Sequence, residues 1–250
     1  RSGYQGTPNS SVGFLIDDID YSGQGGIATL FDIEQVEVFR GPQGSRTGAN
    51  ALAGLIYIKT KDPTDQFEGL SEITIGDYGT QNLGIAFGGP TKNEKVKYRL
   101  VVRTDYADGF RKNIFLNQSD TSKKDELTIR YKLNWDISET TDVNFLVSKV
   151  DMDDPADIWT IDGSLNTLSD RPGMDSQETD SVGIKLLKNF NHFDLQSFTS
   201  FTKTDVVFSY DADWGNPDSH FPYIYDYFSE TFRKRDTFSQ EIRFLSLIHI

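Results

Sequence analysis

Most of the chain alternates apolar with polar residues at every second position, which is the period of a β-strand and not of a helix. In the clearest run, Leu127 to Trp135, the odd positions are apolar and the even positions are polar. The run 98–106 carries a tyrosine at each end of its apolar face. Further strands are predicted at 67–76, 81–89, 142–150, 180–190, 192–208 and 236–247. The pattern therefore predicts a mainly β, antiparallel fold.

Short and long connections alternate between these strands from the second connection onward. The short ones lie at 89–94, 136–141 and 189–191, and the long ones at roughly 107–124, 151–178 and 209–235. Tight turns at one rim and long loops at the other are typical of a transmembrane β-barrel. A soluble β-sandwich alternates as well, but the face opposite the apolar one is charged, as a wet barrel lumen tolerates. That face carries Arg99, Arg103, Arg130, Lys132, Lys185, Glu241 and Arg243.

The first 62 residues follow a different pattern of short strands and tight turns. Strands are predicted at 12–19, 34–39 and 54–61, with one helical turn at 49–53. Gly41 to Gly44 reads Gly-Pro-Gln-Gly, a sharp reversal, because glycine permits positive φ and proline presets the turn. We expect a small α+β domain over 1–62 and the barrel-like strands over 63–250.

Composition excludes several classes of function. The net charge of −13 disfavours a nucleic-acid partner, and the absence of cysteine excludes disulfides, thiolate nucleophiles and Cys-ligated metals. The three histidines are far apart, no run is long enough for a transmembrane helix, and no nucleophile elbow or paired-carboxylate arrangement predicts an enzyme. Gly23 to Ala28 fits a dinucleotide-binding spacing, but a strand follows where the required helix would begin. No cofactor is predicted.

Two stretches resemble the plug of TonB-dependent outer-membrane receptors. Residues 36–45 read VEVFRGPQGS and residues 48–61 read GANALAGLIYIKTK, close to the family pattern VEVLRGPQG…YG.NAIGGVINIITK. Residues 12–21 resemble the preceding plug strand, with Asp18 where that pattern has glycine. Residues 238–244, FSQEIRF, resemble a barrel strand of the family. Residues 45–47 depart from the pattern, and the chain leaves it again after Phe244.

The resemblance implies a plug inside a barrel of about 22 strands. This chain would hold the C-terminal part of the plug and about eight strands, as an internal segment of a longer protein. It implies TonB-dependent uptake of a scarce ligand, by default a ferric siderophore or other iron complex, across the outer membrane of a Gram-negative bacterium. The implied partners are TonB with its inner-membrane energising complex, the ligand, which would bring any iron, and outer-membrane lipid.

The resemblance also implies candidate site residues. The plug arginine of the motif pairs with barrel carboxylates in this family, which makes Arg40 the expected lock between plug and barrel and Glu37 a second candidate. The plug motif further includes Gly41, Pro42, Gly44, Gly48 and Gly54. Glu241 and Arg243 are the candidate partners on the barrel wall.

The long connections carry two further features. Ligand contact is possible through a dense group of aromatic residues, namely Tyr210, Trp214, Phe221, Tyr223, Tyr225 and Tyr227. Clustered aspartates, Asp151 to Asp157 and Asp211 to Asp218, suit calcium only weakly because they lack EF-hand spacing. The alternative functions are a β-sandwich surface binding module and a non-transporting outer-membrane barrel.

Overall fold

A computed structural model describes residues 10–24, 27, 29–44 and 51–246. The N-terminal part forms a small sheet of β1 (Val12–Ile16), β2 (Ile19–Asp20), β3 (Ile33–Arg40) and β4 (Gly54–Thr60), in the order β2-β1-β4-β3. β1 and β4 are parallel, and the other pairs are antiparallel. The three strands predicted here are confirmed, with 12–19 divided by a turn. The predicted helical turn lies partly outside the described residues, and 51–53 are not helical.

The rest of the chain forms one antiparallel sheet of eight strands in the order β14-β13-β12-β10-β9-β7-β6-β5. Its strands, with two short ones between them, are β5 (Glu68–Ile75), β6 (Gln81–Pro90), β7 (Val96–Ala107), β8 (Lys112–Asn113), β9 (Lys124–Ser138), β10 (Thr141–Pro155), β11 (Asn166–Thr167), β12 (Met174–Asn189), β13 (Phe193–Asp211) and β14 (Phe228–Ser246). Apart from β8 and β11, which pair with each other, each strand neighbours the next along the chain. The predicted antiparallel fold, with successive strands joined by alternating short and long connections, is confirmed.

Several strands extend well past the predicted bounds, and they do so toward the long loops. β13 and β14 each have 19 residues, whereas about 9–11 tilted residues cross a bilayer. The long loops are 108–123, 156–173 and 212–227, and the opposite ends of the strands are joined by short turns. Among the described residues, no helix is both long and apolar enough to span a membrane.

The two faces of the large sheet are inverted relative to a soluble sandwich. Phe201 pairs with Phe238 and the two are 46% and 70% exposed, whereas the next pair, Thr202 with Thr237, faces the other side and Thr202 is 2% exposed. Apolar side chains therefore point outward and polar ones inward, as lipid on one side and a covered lumen on the other require. This arrangement excludes the β-sandwich alternative.

The small sheet lies against the polar face. Ile19, Tyr21 and Ile27 form a buried cluster together with side chains of β10, and Phe31 packs with side chains of β6 and β7. The partners on the large sheet are Leu146, Val150, Met152, Ala86 and Val101. β4 ends at Thr60 and β5 begins at Glu68, so the predicted division after Asp62 falls in the connection between the sheets. That division stays a prediction.

Candidate functional site: the interface between the two sheets

Ion pairs across the interface have one polarity. Among the described residues, every such pair joins a carboxylate of the N-terminal segment, here the described residues up to Asp62, to a cation of the large sheet. The carboxylates are Asp17, Asp18, Asp32 and Asp62, called here the segment carboxylates, and the cations are Arg99, Arg130, Lys132 and Lys185, called the wall cations. The wall cations lie on the charged face that the alternation predicts. Their partners were not predicted.

Asp32 forms the most deeply buried of these contacts. Its carboxylate accepts two hydrogen bonds from Arg99, from Nε at 2.8 Å and from Nη2 at 2.5 Å, and Arg99 is 3% exposed. Arg130 lies beside the pair, with Nη2 3.9 Å from Asp32 Oδ2 and 3.4 Å from the carbonyl oxygens of Phe31 and Asp32. Bidentate geometry suits arginine with carboxylate and fixes the orientation of both groups.

Glycine on β6 makes room for the side chain that precedes Asp32. A Cβ atom on Gly84 would stand 2.7–2.9 Å from three ring atoms of Phe31, whose ring also faces the Arg103 guanidinium at 5.5 Å. The ring can therefore approach the strand this closely only because position 84 has no side chain. The close approach sets where the next residue, Asp32, meets Arg99.

We expect Gly84→Ala to displace the Phe31 ring and to weaken the attachment of the N-terminal segment. Overpacking a filled site costs about 1–3 kcal/mol. Urea titration of the full-length protein in detergent, read by protease sensitivity of the N-terminal segment, measures the loss. Gly44→Ala is the matched control, because a Cβ there meets nothing within 4 Å. An equal shift in both variants would contradict the role of the close approach.

Lys132 ties three groups of the N-terminal segment to β9. Its Nζ donates to Asp17 Oδ1 at 3.0 Å, to Asp62 Oδ1 at 2.9 Å and to the Thr60 carbonyl oxygen at 3.1 Å. Asp17 also accepts from the Thr60 amide and hydroxyl, which orients its carboxylate. Burial would raise the pKa of Asp62, but Lys132 and Lys59 outweigh it and hold that pKa below its usual value.

The turn between β1 and β2 presents two aspartates to the wall. Asp17 and Asp18 have φ of 50° and 71°, and Ile16 pairs with Ile19 across this two-residue turn. Both central positions of such a turn need positive φ, which favours glycine at the second. Asp18 stands there instead, and its carboxylate accepts from Lys185 Nζ at 2.9 Å and from the Tyr57 hydroxyl at 3.2 Å. Burial, then the charge of Asp18, raises the pKa of Tyr57.

We expect Asp18→Gly to leave the stability of the docked segment nearly unchanged. Glycine removes a left-handed strain of about 1 kcal/mol, and this gain offsets the loss of a half-exposed ion pair of similar size. Asp18→Asn loses the charge without the relief, so it should be the more destabilising of the two. Urea midpoints of both variants test this. A loss of stability in Asp18→Gly clearly greater than zero, relative to the unmodified protein, would show that the ion pair outweighs the strain.

Hydrogen bonds to uncharged acceptors complete the interface on the far strands. Arg235 Nη1 on β14 donates to the Ser22 carbonyl oxygen at 2.6 Å, and Thr204 Oγ1 donates to Gln24 Oε1 at 3.0 Å. Tyr21 is buried between the sheets, and that burial raises its pKa to about 12. The Tyr21 hydroxyl is therefore uncharged at physiological pH. The N-terminal segment thus contacts strands from β6 to β14.

The motif residues predicted as the lock lie elsewhere. Arg40 ends β3 with an exposed side chain, and it takes part in no ion pair found within the described ranges, while Glu37 accepts a hydrogen bond from Gln35. Gly41 has φ of 85°, and a Cβ on Gly54 would stand 2.7 Å from the Phe39 carbonyl oxygen, so both glycines are required locally. Pro42 and Gly44 are exposed, and Gly48 lies outside the described residues. The lock role of Arg40 and Glu37 stays a prediction.

Glu241 and Arg243 pair with each other along β14. Both line a small cavity of about 50 Å³ together with Asp18 and Lys185. Their role as wall partners of the plug arginine stays a prediction. The cavity places them near the segment carboxylates and not at the glycine-proline motif.

The predicted loop aromatics lie at the long-loop end, far along the strands from the short turns. Phe221 is 88% exposed, and Trp214, Tyr223, Tyr225 and Tyr227 are also exposed. Tyr210 differs, because it packs against Trp159 with ring centroids 5.0 Å apart. Tyr225 contacts Tyr227 and His220, with ring centroids 6.0 and 5.2 Å away. The loop therefore presents a group of aromatic faces to solvent.

Loop 156–173 makes direct contacts with both of the other long loops. β11 pairs with β8 of loop 108–123, and the Asp157 carboxylate accepts from Asn113 Nδ2 and Thr167 Oγ1 at 2.9 and 2.7 Å. Asn216 of loop 212–227 donates to the Leu168 carbonyl oxygen at 3.1 Å. Burial raises the pKa of Asp157 despite these donors. Over the described part of the chain, no three acidic or histidine residues are grouped to hold a metal ion.

Comparison with known proteins agrees with this architecture. Residues 3–55 match the model of the TonB-dependent receptor plug domain. The vitamin B12 transporter BtuB of Vibrio vulnificus is 27% identical over 154 residues, which cover 56% of this chain and 25% of that protein. The chain therefore spans about a quarter of this curated relative.

Solved structures share the fold. The siderophore receptor PiuA from Acinetobacter baumannii matches with a TM-score of 0.74 and 17% identity, covering 95% of this chain and 35% of that one. The ferric yersiniabactin uptake receptor FyuA from Yersinia pestis matches with a TM-score of 0.72 and 19% identity, covering 80% and 33%. In both receptors the matched part is about a third of the chain. Residues 3–55 thus match the plug domain of TonB-dependent receptors, and the strands that follow share the β-barrel fold of these solved receptors.

Proposed function

We propose that this chain is part of a transporter that takes up a scarce ligand, a ferric siderophore or another iron complex, across the outer membrane by TonB-dependent gating. The observation that carries the proposal is the plug sheet docked on the lumen face of the barrel sheet through ion pairs of one polarity. The similarity to siderophore receptors supports the ligand class. The chain is proposed to bind and transport, with no catalytic role.

A gate of this kind must hold firmly and still release. Half-exposed pairs such as Asp18 with Lys185 contribute about 0–1 kcal/mol each. Breaking a buried pair such as Asp32 with Arg99 costs about 3–5 kcal/mol, because an uncompensated charge stays behind. A pull by TonB, energised from the inner membrane, would separate the contacts one after another. The sum keeps the path closed at rest, while each step stays within reach of a mechanical pull.

We propose that the loop aromatics make the first contact with ligand. Phe221, Tyr223, Tyr225, Tyr227 and Trp214 offer exposed rings at the long-loop end, where an outer-membrane barrel faces the exterior. Tyr210 would support them from below through Trp159. Aromatic faces suit the flat, partly apolar surface of an iron chelate.

Uptake by the complete receptor tests the proposal. A strain lacking the gene, with and without a plasmid copy, is given radiolabelled iron on a panel of siderophores, in backgrounds with and without TonB. We expect uptake of at least one chelate that needs both the receptor and TonB. No dependence on either across the panel would refute transport of iron complexes and favour a non-transporting barrel.

Cobalamin is the second candidate ligand, since the curated relative at 27% identity is a vitamin B12 transporter. The same strains given radiolabelled cyanocobalamin decide between the two. Receptor-dependent uptake of cobalamin alone would keep the gate and replace the ligand class. Uptake of iron chelates alone would exclude cobalamin.

The family resemblance also makes Arg40 a proposed lock residue, with Glu37 beside it on β3. We expect Arg40→Ala to loosen the plug, because loss of the guanidinium would leave a barrel carboxylate unpaired. The outer membrane should then become more permeable to detergents and large antibiotics. Glu34→Ala on the same strand is the control, since Glu34 pairs with Lys59 within the plug sheet. Unchanged permeability in Arg40→Ala would refute the lock role.

A further inference from the structure

The wall cations lie close together once their positions are followed along the barrel register. Arg99 on β7 stands directly opposite Lys132 on β9, and Arg130 lies two residues from Lys132 on the same face. Lys185 on β12 is level with Asn144 on β10, which is level with Asn134 on β9. Lys185 therefore lies two residues nearer the short turns than Lys132. At about 3.3 Å per residue and about 4.8 Å per strand, the four cations occupy one patch across four strands.

Two of the wall cations, Arg99 and Arg130, have hydrogen-bond donors that the segment carboxylates do not fully use. Arg130 is 5% exposed, yet its contacts with Phe31 and Asp32 are long, at 3.4–3.9 Å. Arg99 Nη1 is buried without a hydrogen-bond partner among the described residues, and the nearest carboxylate, Glu68, is 4.0 Å away. Buried donors without a partner are costly and would gain from a further acceptor.

A cavity adjoins the patch on the plug side. It has a volume of about 140 Å³ and is lined by Lys132 and Lys185 from the wall and by Asp17, Asp18 and Asp62 from the plug. The space is large enough for several water molecules, and it separates part of the plug from the wall. Phe145, Leu146 and Phe198 of the large sheet also line it, so the charged groups there stand beside an apolar contact.

We infer that the wall cations form an anion-binding surface on the translocation path, which the segment carboxylates occupy while the plug is at rest. This inference rests on the proposed function and adds a substrate class to it, namely a ligand with net negative charge that carries carboxylate or similar oxyanion groups. When the plug withdraws, Arg99, Arg130, Lys132 and Lys185 lose the segment carboxylates together, while Glu68 on β5 stays 4.0 Å from Arg99 Nη1. A passing anion replaces these charges in turn.

The physical reason is the cost of an unpaired charge in a confined lumen. An isolated buried cation is strongly unfavourable, whereas the same cation with an oxyanion in contact recovers most of the loss. An anionic ligand therefore offsets the opening of the plug, and a neutral or cationic ligand does not. Charge exchange of this kind couples the presence of the ligand to release of the plug.

Ion selectivity of the opened receptor tests the inference without any need for TonB or a known ligand. The full-length receptor carrying Asp17→Asn and Asp18→Asn, which loosen the plug, is placed in planar lipid bilayers under a KCl gradient, with chloride as the probe anion. In that background, Lys132→Gln with Lys185→Gln should lower the chloride-to-potassium permeability ratio roughly twofold or more. Lys149→Gln is the matched control, because Lys149 lies on the outward face with Glu178. An unchanged ratio in the Lys132 and Lys185 variant overturns the inference.

A second measurement tests the inference even if the plug does not open in the bilayer. Citrate added to the receptor with its native plug should increase protease release of the plug relative to KCl of the same ionic strength, because citrate competes with the segment carboxylates for the wall cations. The increase should vanish in Lys132→Gln with Lys185→Gln. Equal release in citrate and KCl overturns the inference. Loss of receptor-dependent uptake with this competition intact would instead refute the transport function alone.

Discussion

Replacing Asp32 with asparagine should weaken the docking of the plug on the barrel sheet by about 3–5 kcal/mol, because Arg99 and Arg130 would lose the buried carboxylate between them. Asparagine is the right substitution, since Asp32 has φ of 58° and asparagine tolerates that conformation. The amide is also nearly isosteric, so packing around Phe31 is preserved. Amide hydrogen exchange of β3 and β4 in the full-length receptor measures the change.

The control for this variant is Glu34→Gln, which removes a carboxylate two residues further along the chain, on β3. Glu34 pairs with Lys59 and both side chains are exposed, so the expected loss is below about 1 kcal/mol. The double variant Asp32→Asn with Arg99→Met should recover part of the stability, because it removes the stranded cation. Equal losses for Asp32→Asn and Glu34→Gln would show that the buried pair does not hold the plug.

Lys132→Met should be the second most disruptive single change. Methionine keeps most of the aliphatic stem but leaves Asp17 buried without its cation, at a cost of about 3 kcal/mol. The hydrogen bonds from Thr60 to Asp17 remain and limit the loss. The same exchange measurement reports it, with Lys61→Met as a control on an exposed plug lysine. A loss no larger than that of the control would refute the role of Lys132 as a tie.

The same variant changes the response to acid. The folded protein lowers the pKa of Asp62 through Lys132 and Lys59, so this contact contributes fully above the ordinary carboxyl pKa of about 3.9 and is lost as the pH falls through the lowered value. Without Lys132 the lowering is reduced. Plug stability of Lys132→Met should therefore depend less on pH between about 5 and 3 than that of the unmodified receptor.

Alternation and connection length were sufficient to predict the meander, because a lipid-facing strand needs an apolar residue at every second position whatever its neighbours are. The same alternation assigned Arg99, Arg130 and Lys132 to the lumen side, which the structure confirms. Strand ends were less accurate, since β13 and β14 continue beyond the length that crosses a bilayer, into polar segments that carry no such constraint.

The polarity of the interface was not predictable in the same way. Asp17, Asp18 and Asp32 are separated from their partners by 67 or more residues, and only the register of β7, β9 and β12 brings each pair together. One signal was present in the sequence: Asp18 occupies a position where the family pattern has glycine. A charged residue retained where the backbone favours glycine indicates that its side chain has a partner.

The contacts among the three long loops determine how ordered the proposed ligand-contact surface is before a ligand arrives. Loops 108–123, 156–173 and 212–227 are tied by β8 with β11 and by buried polar contacts around Asp157, so the aromatic rings stand on a base that is already ordered. Ordering loose loops costs affinity and slows binding. Under the proposed function, a scarce ligand would therefore meet a surface assembled in advance, and the frequency of its arrival would limit capture.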